Sequence, residues 1–303
     1  MFRFLSMRLI SAVLTLFVVV TATFFLMFLV PGGPFLSERN SPQVVESMNR
    51  KYGLDKPVYI QYKNYVVNIF KGDLGDSFKR RGYSVLELIT EKFPVSAKLG
   101  GLAILAALLL GVPAGILAAY NRNTVIDRII MAWCTLGIAL PSFIVSTALL
   151  YIIGMNLKLL PTLGLETPKH FIMPMFALSL SPTCNITRYV RSSVLDIQGQ
   201  DYLKTARAKG LSEQVVMIKH ALRNALIPVI TYLGPMITGV LTGSFVIEKI
   251  FSIPGLGKYF VDSISGRDYP MIMGTTIFFA ALLIIANLLV DILYKIVDPR
   301  ITY

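Results

Sequence analysis

The sequence predicts an all-α integral membrane protein, and three observations carry that expectation. Apolar residues make up 54% of the 303 residues and charged ones only 15%, with a mean hydropathy of +0.65. A soluble domain of this length has no means of burying so much apolar surface. The apolar residues fall into six stretches of roughly 20 residues or more, the length that crosses a bilayer. Charge is concentrated between those stretches. The expected architecture is one domain over residues 1–303 with six transmembrane helices, a long polar loop after the first, and a basic amphipathic segment between the fourth and fifth.

Leu9–Val30 runs about 22 residues without a charge, enough to cross ~30 Å of hydrocarbon. Arg3 and Arg8 precede it. A cleaved signal peptide has a shorter apolar core that ends in small residues, whereas this one ends in Leu-Val-Pro-Gly-Gly-Pro, so a retained helix is expected. Further spans are expected at Ala97–Tyr120, Ile129–Ile153, Phe171–Val194, Ala225–Ile247 and Met271–Tyr294. Pro113, Pro141, Pro174, Pro182, Pro228 and Pro235 predict bends within them. The run Gly111-Val-Pro-Ala-Gly115 predicts close helix approach.

Residues 31–98 form a polar insert. Pro31, Gly32, Gly33 and Pro34 break the first helix. Short helices are expected near Gln43–Tyr52 and over Val58–Phe70, a turn at Gly72–Gly75, and an interfacial helix at Val85–Phe93 leading into the second span. An even number of spans puts both termini on one side. The short loops on that side, including Asn121–Arg128 and the segment after Arg188 and Arg191, are basic on balance, while Gly154–His170 and Glu248–Pro270 are nearly neutral. The positive-inside rule then places both termini in the cytoplasm and the insert outside.

The segment Asp201–Pro228 lies on the cytoplasmic side. Asp201 suits the positive end of a helix dipole. Tyr202, Leu203, Ala206 and Ala208 mix with Lys204, Arg207 and Lys209, and Gly210 ends the helix because it accepts the left-handed conformation. Ser212 and Glu213 then open a second helix carrying Val215, Val216, Ile218 and Leu222 beside Lys219, His220 and Arg223. Too many charges are present for this piece to enter hydrocarbon. It rests at the membrane face, either as an ordinary snorkelling loop or with side chains free to dock a soluble partner.

Several chemistries are missing. The formal charge of +12 is scattered between apolar spans, which suits anionic lipid and protein partners better than nucleic acid. Cys134 and Cys184 read as buried thiols. His170 and His220 stand alone, so no metal site is expected. No catalytic group is expected either: neither G-x-x-x-x-G-K-[ST], H-E-x-x-H nor G-x-S-x-G occurs, and Gly255-Leu-Gly257-Lys258 is too short for a phosphate loop. The spans carry almost no ionisable residues, Asp291 lying near the end of the last. Asn287 reads as a buried amide, either bonding between helices or touching solute.

Ala206-x-Ala208-Lys209-Gly210, followed by His220-Ala-Leu-Arg-Asn224 and Pro228, resembles the conserved cytoplasmic loop of ABC-importer permeases, and more narrowly of the oligopeptide/dipeptide/nickel permease family. The Glu-Ala-Ala triplet of that loop is Lys204-Thr205-Ala206 here. The ordered series Gln61-Tyr62, Gly72-Asp-Leu-Gly-Asp-Ser77, Ile253-Pro-Gly-Leu-Gly257, Arg267-Asp-Tyr-Pro270, Asn287-Leu-Leu-Val-Asp291, Tyr294 and Asp298-Pro-Arg-Ile301 extends the resemblance over essentially the whole chain. The local reading of Pro254–Gly257 and of Tyr269-Pro270 is turn chemistry.

The resemblance implies a permease subunit in the cell membrane that binds no cofactor itself. It implies a second, homologous permease chain, two cytoplasmic ATPase subunits holding ATP and Mg, and an extracytoplasmic solute-binding protein. Residues 199–224 would then be a coupling segment, with Asp201, Tyr202, Thr205, Ala206, Arg207, Ala208, Lys209 and Gly210 engaging the ATPases. Gly210 supplies the turn, Ala206 and Ala208 close packing, Arg207 and Lys209 polar docking. Ser142, Ser181 and Asn287 are candidates for the solute path. Peptide is the expected solute; nickel chelates, glutathione and opines are the alternatives within the family. A channel or secondary carrier would work without ATPase partners. A membrane enzyme would need a nucleophile–base pair or metal cluster, and the spans offer neither.

Overall fold

The computed structural model describes residues 2–29, 32–35, 41–80, 82–198, 200–212, 215–216 and 225–297. These are helical almost throughout. The one β feature among them is an isolated antiparallel bridge between Asp76 and Ser84. The chain separates into two compact units, Met1–Pro94 with Lys258–Ile284, and Val95–Gly257 with Ile285–Tyr303.

In the first unit, α1 (Phe2–Leu29) is followed by α2 (Pro42–Tyr52) and α3 (Val58–Phe70), where the sequence predicts them. Gly53 closes α2 at φ 68° and donates its N–H to Arg50 O, the left-handed cap that glycine takes without strain. Val20, Phe24 and Met27 of α1 pack against Tyr62, Tyr65 and Ile69 of α3. Thr21 and Tyr62 share a hydroxyl hydrogen bond at 2.7 Å. The expected turn at Gly72–Gly75 forms with both glycines at positive φ.

Val85–Phe93 is not a separate interfacial helix. It is the first part of α4, which runs unbroken over Val85–Tyr120. In the second unit, α4 is followed by α5 (Val125–Ala139) and α6 (Ser142–Leu149), the latter continuing as a π-helical segment over Leu150–Asn156. The third predicted span is therefore a broken one, bent by 101°. Pro141 is the cause: it lacks an N–H and drives Leu140 to an extended ψ of 119°.

A 3-10 turn at Pro168–Phe171 leads into α7 (Ile172–Gln198). Its Thr183 and Thr187 hydroxyls donate back to Ser179 O and Thr183 O, each at 2.8 Å, so buried hydroxyls are satisfied within the helix. Val125 to Gln198 thus ends in the central helix of this unit, with Cys184, Ile186, Val190 and Val194 in its core. Gly111 and Gly115 of α4 allow close approach to α7, as predicted. A Cβ on Gly115 would sit 2.7 Å from Thr187 O, and one on Gly111 2.9 Å from Thr183 O.

Beyond α8 (Asp201–Ala208) come α9 (Ile227–Ile250), α10 (Leu256–Gly266) and α11 (Tyr269–Val297). Among the described residues, Ser6–Leu29, Val85–Tyr120, Ile227–Ile250 and Tyr269–Val290 are long and apolar enough to cross a membrane, and the bent pair α5–α6 makes a fifth when its two halves are taken as one span. The predicted span Phe171–Val194 falls on α7. It has the length but carries Asn185, Arg188 and Arg191, and is less apolar than those four.

Candidate coupling and solute-path sites

Backbone hydrogen bonds tie Gln200 to the end of α7 and to the start of α8. Gln200 N donates to Ile197 O at 2.9 Å, and Gln200 O accepts from Leu203 N at 3.1 Å. α8 is amphipathic. Leu203 and Ala206, one turn apart, are buried at 0% and 6% exposure and belong to the same apolar cluster as Val190 and Val194. Tyr202, Lys204, Thr205, Ala208 and Lys209 are exposed. Asp201 and Lys204 pair at 2.9 Å, but both are open to solvent, so the pair adds little stability. Gly210 follows at φ 78° with open space around its Cα.

The eight predicted coupling residues thus divide. Ala206 packs inward, against its own chain. Ala208 and Lys209 lie on the open side. The backbone of Arg207 is helical; its side chain lies outside the described residues, as do Glu213, Leu222, His220–Asn224 and the Asp298–Ile301 motif. Val216, beyond Gly210, returns to the buried cluster.

The helix before α8 carries a feature that the sequence reading missed. Arg191 on α7 grips Asp127 near the start of α5, Nε to Oδ1 at 2.6 Å and Nη2 to Oδ2 at 2.7 Å. Asp127 also accepts from Asn123 N at 3.0 Å and is 3% exposed. A fork of two parallel bonds is the strong form of this pair. The basic loop Asn121–Arg128, noted only for its charge, is thereby tied to the helix that carries α8.

The path candidates Ser142, Ser181 and Asn287 lie on α6, α7 and α11. Ser142 and Ser181 are half-buried; no hydrogen bond among the described residues joins any two of Ser142, Ser181 and Asn287. Asn287, expected to be buried, is exposed on this chain, although a Cβ on Gly234 of α9 would meet its Oδ1 at 3.6 Å. A better-defined polar group lies between α7 and α9. Asn185 Nδ2 donates to the Tyr232 hydroxyl at 3.2 Å, and the rings of Tyr189 and Tyr232 are 5.2 Å apart. Asn185 and Tyr189 are four residues apart on one helix face, a spacing legible in the sequence.

Three motifs acquire local reasons. Asp268 caps the start of α11, its Oδ1 accepting from Met271 N at 3.4 Å. The same carboxylate accepts from the Ser77 hydroxyl, and from Phe78 N and Lys79 N at 3.0 and 3.3 Å. The motifs containing Ser77 and Asp268 are therefore two halves of one clasp. Ile253–Gly257 is also a close-packing segment. Neither Gly255 nor Gly257 has a positive φ; a Cβ on Gly255 would lie 2.6 Å from Ser96 Oγ, and one on Gly257 2.8 Å from Phe245 Cα. Those glycines are close-packing residues over the buried Glu248.

Cys134 and Cys184 are both buried and free, as expected. His170 accepts from Thr167 N at Nδ1, 3.1 Å away, in the cap of the 3-10 turn. Among the described residues, no three His, Cys, Asp or Glu side chains are grouped so as to hold a metal.

A mostly helical membrane chain with a short amphipathic helix set between long ones is the design of a transporter's membrane subunit. The chain belongs to the family of binding-protein-dependent transport system inner membrane components, matched over residues 111–303, and its first 100 residues match the N-terminal part of the same kind of component. It is 46% identical over 302 residues to the dipeptide transport system permease protein DppB of Bacillus subtilis, covering 99% of this chain and 98% of the relative. It is 45% identical to the oligopeptide transport system permease protein OppB of Haemophilus influenzae, and 42% identical to OppB of Escherichia coli K12, over the full length of both chains in each pair. Among solved structures, the inward-facing MetNI methionine ABC transporter aligns with a TM-score of 0.58 at 16% identity, over 70% of this chain and 97% of that one. An amino acid ABC transporter crystallised with histidines aligns at 0.51 and 18% identity, over 69% and 93%. These two share the fold.

Proposed function

We propose that this chain is one permease subunit of an ATP-driven importer of peptides. It forms half of the translocation path, beside a second homologous permease, and takes peptides from an extracytoplasmic solute-binding protein. Two cytoplasmic ATPase subunits bind ATP and Mg. In this reading α7 and the bent pair α5–α6 each count as a span, giving six, with both termini cytoplasmic and residues 31–98 outside. Supporting the peptide assignment is the full-length similarity to permeases named for dipeptides and oligopeptides.

The observation that carries the reading is α8, which has one face locked into its own chain and the other open. A lever needs both. Leu203 and Ala206 make the helix move with α7, while Tyr202, Lys204, Ala208 and Lys209 offer contacts to an ATPase. ATP closure shifts the ATPase dimer, α8 follows its groove, and α7 carries the displacement toward the Asn185–Tyr232 group. The coupling arises because α8 makes different contacts in the two states. Tyr189 and Tyr232 supply surface that accepts varied peptide side chains, and Asn185 pairs with backbone amides.

The test is ATP-dependent uptake of a labelled peptide by reconstituted vesicles, together with identification of the chains that co-purify. Gly210→Pro, which cannot adopt the positive φ, should leave insertion intact and uncouple hydrolysis from uptake. Ala206→Glu should also stop uptake, but by forcing a charge into the seat of α8. Normal uptake by both variants, or a purified importer without ATPase chains, overturns the reading.

A further inference from the structure

A cavity within the first unit has no part in the coupling scheme. It holds about 410 Å³, inside the ~300–1,000 Å³ range of small-molecule sites. One wall is a polar stripe of α3: Gln61, Asn64, Tyr65 and Asn68. Their spacing of i, i+3, i+4 and i+7 puts them on one helix face. The rest of the lining is largely apolar and aromatic, with Phe24, Met27 and Phe28 of α1 and Tyr269 and Met273 of α11. Lys51, Lys56 and Asp76 also line the cavity and are exposed, as is Arg50, which pairs with Glu46 at 2.7 Å, so the lining carries charge of both signs.

The polar groups are fixed in different degrees. Gln61 Nε2 donates to Leu54 O and Lys56 O at 3.2 and 2.7 Å, so that amide is held by the loop between α2 and α3. The Tyr65 hydroxyl is enclosed, with no hydrogen-bond partner among the described residues. Asn64 and Asn68 are exposed. Asn64 and Asn68 each offer donor and acceptor atoms, and Gln61, whose two N–H groups are taken, offers its Oε1.

We propose that this cavity is a binding site for a short peptide with free termini. The inference rests on the importer reading above and names a station in the first unit, built from other residues than the Asn185–Tyr232 group. A peptide presents N–H and C=O groups between its ends, and the α3 stripe answers both. Its carboxylate is met by Lys51 and Lys56, its ammonium by Asp76. The aromatic and methionine wall takes apolar side chains of differing shape, because such contact is non-directional and Met adapts to irregular surfaces. A lipid headgroup would satisfy the lysines but leave the amide stripe unused.

The experiment uses the assembled importer in phosphatidylcholine nanodiscs without its solute-binding protein, and the radiolabelled tripeptide Ala-Phe-Ala as probe. Saturable binding is expected. The Asn64→Leu/Asn68→Leu double variant should weaken it about tenfold, as should acetylating and amidating the peptide's ends, in line with the loss of one or two hydrogen bonds to a desolvated ligand. Lys56→Ala, at an exposed position, serves as a second variant should the double one misfold, and should weaken binding of the free peptide while leaving the end-blocked one unchanged. Absence of binding in the intact importer, equal binding by variants and parent, or displacement by short-chain phosphatidylglycerol with the peptide's ends immaterial overturns the proposal. Uptake of the same peptide after adding the solute-binding protein separates the two readings: uptake without cavity binding sinks the cavity site alone, and no peptide uptake sinks the importer reading.

Discussion

Arg191 and Asp127, 64 residues apart, meet through two charged hydrogen bonds of 2.6 and 2.7 Å and fix the start of α5 to the helix that bears α8. Asp127 is almost wholly buried, so its charge is tolerable only while Arg191 faces it. Arg191→Ala should lower stability by about 3–5 kcal/mol, the cost of stranding a buried charge. The double variant Asp127→Leu/Arg191→Met should recover most of that loss. Thermal melts of the detergent-solubilised chain measure both; equal losses in the two variants would show that the pair acts through something other than charge burial.

The α4–α7 contact depends on two missing side chains. A Cβ on Gly115 would meet the backbone carbonyl of Thr187 at 2.7 Å, whereas one on Gly101 meets nothing within 4 Å. Gly115→Ala should therefore destabilise by about 1–3 kcal/mol through overpacking. Gly101→Ala should be neutral or stabilise by roughly 0.5–1 kcal/mol, because alanine restricts the unfolded helix backbone. Melts of the two variants side by side check the contrast.

Much of this was legible from periodicity and punctuation. Apolar run length located α1, α9 and α11, and glycine placement located the end of α8, because these are local properties. The 101° bend at Leu140–Pro141 was foreshadowed by proline, but its size depends on what α6 packs against. The inward face of α8 was harder to read, since Ala206 and Ala208 are chemically alike and only packing tells them apart. Asn287 reads as buried because amides in spans are usually paired, yet it is exposed on this chain although its Oδ1 lies near Gly234 of α9. The Arg191–Asp127 and Asp268–Ser77 contacts join distant segments, and no local pattern announces such partners.

Asp268 does two jobs at once, capping α11 and accepting from the Ser77–Lys79 segment. Asp268→Asn keeps the cap's shape but halves its acceptor capacity and removes the charge that strengthens each bond. The segment around Ser77–Lys79 should then open more readily, and its amide hydrogen exchange should quicken by at least tenfold, equivalent to ~1.4 kcal/mol, with exchange in α7 unchanged. Ser77→Ala, which removes one donor of the set, should give a smaller effect in the same amides.

The two faces of α8 should separate by assay. Leu203 is fully buried in the second unit's core, so Leu203→Ala should cost about 2–5 kcal/mol of stability through the cavity it leaves. Lys209 is exposed, so Lys209→Glu should leave the melt within about 0.5 kcal/mol of the parent, as surface changes do. If α8 is the lever, Lys209→Glu should nonetheless reduce peptide uptake at unchanged membrane abundance, and the deficit should shrink in high salt, where an exposed charge contact is screened. A lever variant therefore keeps stability and loses transport, whereas a core variant loses both. Full uptake by Lys209→Glu and Ala208→Glu alike would mean that the open face of α8 touches no partner that matters, and the handle would have to be sought elsewhere on the chain.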